Sequence, residues 1–133
     1  MAKPNRRVAL RKSVDPIEVI AITRADDIQM IARSAYLLDA SSTGFLLRIR
    51  REELIPKDLR GNLTLQSLQG VQLSLTIRLM NLEITGIVAR TQLVGREGFD
   101  VAIDYSANAP EYWRECLVEM LPNPGELELR TRK

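Results

Sequence analysis

The sequence predicts an all-β protein, an antiparallel barrel or sandwich, completed by one C-terminal helix. Three observations carry this reading. Short β-branched and apolar runs recur along the chain, turn residues separate them, and only one segment has clear helical spacing. The 133 residues are enough for one domain, and 45% hydrophobic with 27% charged residues is an ordinary globular balance.

The chain divides into a basic arm over 1–12, a body over 13–121 and a tail over 122–133. Pro4 and the charges before Val8 mark the arm as outside regular structure. The run Ile17 to Thr23 is β-branched and apolar, as a strand requires. Ala25, Asp26 and Asp27 form the expected turn, and Ile28 to Leu38 the returning strand. Phe45, Leu47 and Ile49 then alternate onto one face. The charges from Arg50 to Glu53 predict a solvated loop, and Pro56 to Leu59 a single helical turn.

Val71, Leu73, Leu75, Ile77 and Leu79 alternate with polar residues in the clearest amphipathic strand of the chain. Met80–Asn81 turns into a strand from Leu82 to Thr91, and Gly95 to Gly98 into one from Phe99 to Tyr105. Asn108, Pro110 and Glu111 are favourable at a helix start. Trp113, Cys116, Leu117, Met120 and Leu121 then follow an i, i+3, i+4, i+7, i+8 stripe, with Arg114, Glu115 and Glu119 away from it. The stripe is expected to close an open barrel end as core, with Cys116 as a small buried hydrophobe. A partner groove is the competing reading of the same stripe. Past Pro122 and Pro124, the tail alternates Glu126, Leu127, Glu128 and Leu129, which fits an added edge strand or a disordered end equally.

Composition argues against an enzyme. There is no His, which excludes a His-dependent triad, an imidazole base and His-ligated zinc. One cysteine cannot form an internal disulfide or a Cys-rich metal site. No glycine-rich phosphate loop is present, so no cofactor is expected. No apolar run approaches a membrane span, and no signal-peptide stretch opens the chain. A cytoplasmic protein without membrane insertion is expected.

The net charge of +2 is unevenly distributed. Lys3, Arg6, Arg7, Arg11 and Lys12 lie in the first 12 residues with no acid, while the other 14 basic and 17 acidic residues leave the remainder at −3. Such an arm suits an anionic ligand, or equally a solvated terminus. Arg7 and Arg11 form R-x-x-x-R, a spacing that roughly one pair would show by chance in a chain this rich in arginine. Asp39, Ser41 and Gly44 form D-x-S-x-x-G, expected by chance in about one such chain in thirty.

These residue types suit one chemistry. Arginine forks match phosphate oxygens or the O6/N7 edge of guanine. An ionised Asp39 can accept the N1 and N2 protons of guanine, Ser41 can accept or donate, and Gly44 lets a ligand approach the backbone. The purely structural role of the second motif is a turn in which Asp39 and Ser41 bond their own backbone and Gly44 takes positive φ.

With the arginines before the first strand and the turn after the second, the chain from Arg6 to about Leu121 resembles the PilZ family, receptors for the bacterial second messenger cyclic di-GMP. The resemblance implies a six-stranded antiparallel β-barrel, with Arg7 and Arg11 gripping guanine and phosphate. It implies that Asp39, Ser41 and Gly44 hold a guanine and the adjoining backbone. Arg6, immediately before the first motif, implies a stacked pair of ligand molecules. The stretch from Arg11 to Asp39 is longer than is usual in the family, which implies an extended first hairpin. The function so implied is a receptor whose arm folds onto the barrel with ligand and signals to a downstream protein, since no fused output domain is found. A PilZ-like adaptor that binds no nucleotide is the alternative, and predicts no heat with cyclic di-GMP. A nucleic-acid-binding barrel would need stacking surfaces, which 1 Trp, 3 Tyr and 2 Phe hardly supply, so no nucleic-acid partner is expected.

Overall fold

A computed structural model of the chain describes residues 12–61, 65–96 and 98–122. Six strands form it: β1 (Lys12–Arg24), β2 (Met30–Ala40), β3 (Gly44–Arg50), β4 (Gln72–Ile77), β5 (Leu82–Val94) and β6 (Gly98–Asp104). They close into an antiparallel barrel in the order β1-β2-β3-β6-β5-β4, with β4 pairing back onto β1. Two helices complete the fold, the single turn α1 (Lys57–Arg60) and the longer α2 (Glu111–Met120). Among the described residues no helix is long and apolar enough to cross a membrane.

The period of two in the sequence becomes the inside of the barrel. Phe45, Leu47 and Ile49 of β3, Leu73, Leu75 and Ile77 of β4, and Phe99, Val101 and Ile103 of β6 are all buried. Each such burial stabilises the fold by roughly 1.5–3 kcal/mol. The first hairpin is long, 13 residues in β1 against 11 in β2, and its turn at 25–27 lies where expected. Register shifts at residues 13–17 of β1, 37–39 of β2 and 88–90 of β5 add the twist that a closed barrel requires.

Four local expectations are corrected. The charged segment after β3 is a 3₁₀ turn, Arg51–Glu53, which delivers Leu54 to a bridge with Ala32 and to the core. β4 stops at Ile77 because Arg78 and Asn81 close a turn, with Asn81 at φ 52, and this leaves Leu79 46% exposed. On α2, Leu117 and Leu121 are buried and Trp113 half-buried, but Cys116 and Met120 face outward and Arg114 turns in. The start of α2 carries no side-chain cap from Asn108; Pro110 occupies the capping position.

Candidate functional site

The bend between β2 and β3 is built around a buried hydroxyl. Ser41 Oγ accepts hydrogen bonds from the backbone N–H groups of Thr43 and Gly44, each at 3.2 Å, and contacts Thr43 Oγ1 at 3.1 Å. The Ser41 N–H donates to the Gly44 carbonyl at 2.7 Å. Gly44 is needed here for want of space and not for positive φ: a Cβ on it would lie 2.5 Å from the Ile103 carbonyl oxygen of β6. Ser41 and Gly44 therefore shape the bend from within.

Three more residues hold the bend from outside, and the motif gave no signal for them. Tyr105, fully buried at the end of β6, donates its hydroxyl to the Ser41 carbonyl at 3.0 Å, and its N–H donates to the Thr43 carbonyl. Its ring meets Phe45 edge-on at 5.2 Å. Burial pushes the Tyr105 phenol up to about 12, partly opposed by the Arg114 charge. Arg114 donates to the Ser42 carbonyl, and at 2.9 Å to the Ala109 carbonyl, so α2 is bonded directly to the bend. Lys12 pairs with Ala40 at the start of β1, and its Nζ donates to the carbonyls of Val118 at 3.0 Å and Leu121 at 2.7 Å. A cation at those carbonyls also complements the negative end of the helix. Flanked by Trp113 and Glu115 and set off the apolar stripe, Arg114 carried no sequence sign of this arrangement.

Asp39 is half-buried beside the bend, at the head of a cross-strand row. It pairs with Ser13 of β1 and Leu46 of β3; Leu46 pairs with Ala102, and Ala102 with Arg90 of β5. Phe45 and Leu47 point inward, so Asp39 and Leu46 lie on the outer face. Arg90 is exposed on the same row, three strands and about 14 Å from Asp39. The next row runs Tyr36, Arg48, Asp100 and Gln92. There Arg48 grips Asp100 with two bonds, of 2.7 and 3.1 Å, and that hydrogen bonding is the main cause of its raised pKa.

The structure thus brings together Asp39, Ser41 and Gly44. Arg6, Arg7 and Arg11 lie outside the described residues, as does the tail beyond Pro122. A cleft of about 520 Å³ contains none of the motif residues. It lies against the outer face of β4 and β5 beside the start of α2, between Gln72, Glu83, Thr85, Asn108 and Trp113. No family model matches the chain, and no curated protein matches it.

Proposed function

We propose that the chain is a cyclic di-GMP receptor of the PilZ type, which signals to a downstream protein by folding its basic arm against the bend. The observation that carries this reading is the pairing of Lys12 with Ala40. Arg11 precedes Lys12 in the chain, so the Cα of the second arginine of R-x-x-x-R lies within about 3.8 Å of a residue paired beside Asp39 and Ser41. Arg7 is five residues from Lys12, a reach of at most about 17 Å. One guanine-bearing anion spanning the arm and the outer face at Asp39 is thus within the length of the chain.

The roles divide by chemistry. Arg6, Arg7 and Arg11 supply the forks for phosphate and guanine O6/N7, and Asp39 accepts guanine N–H groups. Ser41 and Gly44 act by holding the bend in shape. Two ligand phosphates relieve the repulsion among the four cations that precede Lys12 in the sequence, and charge-assisted bonds of about 1.5–3 kcal/mol each offset the entropy of ordering the arm. Arg90, on the same outer row as Asp39, is a candidate for the far side of a stacked ligand pair.

Titration calorimetry with cyclic di-GMP, GTP and cyclic AMP tests the reading. Binding selective for cyclic di-GMP is expected, at two ligands per chain. Arg7→Ala and Arg11→Ala should each weaken it at least about tenfold, the loss of one charged hydrogen bond. Absence of heat with cyclic di-GMP, or unchanged affinity in both variants, overturns it.

A further inference from the structure

We propose that the outward face of α2 is a docking surface for a cationic amphipathic helix of a partner protein. The proposal goes beyond the ligand reading and holds whether or not the bend takes a nucleotide.

The face is defined by how α2 seats on the barrel. Leu117 and Arg114 are buried, with Trp113 and Val118 half-buried beside them. The opposite side therefore presents Tyr112, Cys116 and Met120 at i, i+4 and i+8, a ridge about 12 Å long over two turns. Tyr112 is 72% exposed and Met120 61%, and Cys116 is exposed between them. Isolated exposed apolar residues need no explanation, but three stacked along one helix form a continuous surface.

A second ridge runs beside it, one residue earlier at the same spacing. Glu111, Glu115 and Glu119 are all exposed, and among the described residues none of them forms an ion pair. The only basic residue of α2 is Arg114, turned inward onto backbone carbonyls. The surface is thus apolar on one side and anionic on the other. Its complement is a helix whose own i, i+4 apolar ridge lies along Tyr112 and Met120 while flanking Lys or Arg side chains meet the three carboxylates. The same carboxylates repel phosphate-bearing partners such as nucleic acids or anionic lipid headgroups.

The experiment is an NMR titration of the isotope-labelled full chain with a synthetic Leu/Lys amphipathic peptide of about 14 residues, long enough to cover the ridge. Amide shifts are expected at 111–120, and a Leu/Glu peptide of the same pattern should not bind. Glu115→Lys with Glu119→Lys should weaken the Leu/Lys peptide about tenfold, and Tyr112→Ala with Met120→Ala should do the same. All four positions are exposed, so both double variants keep the fold. Shifts spread over the surface or mapped to another face, or affinity unchanged in the charge-reversed variant, overturn the proposal. Sedimentation of the free chain gives the remaining outcome: a dimer lost on Tyr112→Ala with Met120→Ala assigns the ridge to a second copy and overturns it as well.

Discussion

A serine hydroxyl has one proton to donate and two lone pairs to offer, and the bend at Ser41 uses both lone pairs on backbone N–H groups. Few positions leave so little freedom for substitution, and Gly44 is one of them. Any side chain there meets the Ile103 carbonyl, part of the β3–β6 ladder that cannot withdraw without breaking pairs. Gly44→Ala should therefore destabilise the fold by at least about 2 kcal/mol, read as a lower midpoint in urea with an unchanged slope. Ser41 and Gly44 were legible in the sequence as a bend. Their spacing could not show whether Gly44 answers to φ or to crowding, because the crowding atom comes from a strand some sixty residues later.

At the scale of the element, α2 shows what a pattern of apolar residues leaves out. The stripe through Trp113, Cys116 and Met120 counts hydrophobic side chains, yet the helix is rotated so that Arg114 faces the body. A buried guanidinium is tolerated because two carbonyls receive its protons and its apolar stem packs inward. Those acceptors come from the bend and from the loop before the helix, so sequence distance hid them. Arg114→Met keeps the stem and removes the bonds. Amide exchange in α2 and at 41–44 should then accelerate more than in β4 and β5, with a global loss of about 1.5–3 kcal/mol. Exchange unchanged at the bend would mean that the two elements are not coupled through this side chain. The strands were easier to read, since alternation marks a half-buried surface directly; the bulges were not, because an extra residue leaves no compositional trace.

For the whole molecule, alkaline stability should follow Tyr105. Its phenol is raised from the ordinary value of 10.0 to about 12 in the folded state. The unfolded chain therefore loses this proton first as pH rises. The contribution is fully present below pH 10 and is lost as pH climbs through the folded value. Tyr105→Phe should cost about 1 kcal/mol at neutral pH, by leaving the Ser41 carbonyl without its donor, and should remove that part of the alkaline slope. Denaturant midpoints measured from pH 8 to 11 in both proteins check the sign.

The pairing of β4 with β1 also has a consequence for how this molecule meets others. Once the ring is sealed, the sheet has neither a first nor a last strand among the described residues. A visiting extended peptide finds bare amides only where β1 and β5 overrun β4, whether it arrives as a legitimate guest or as the seed of an aggregate. Recognition is left to side chains and to whatever lies outside the ring, and prising the seam apart would mean unfolding the barrel itself.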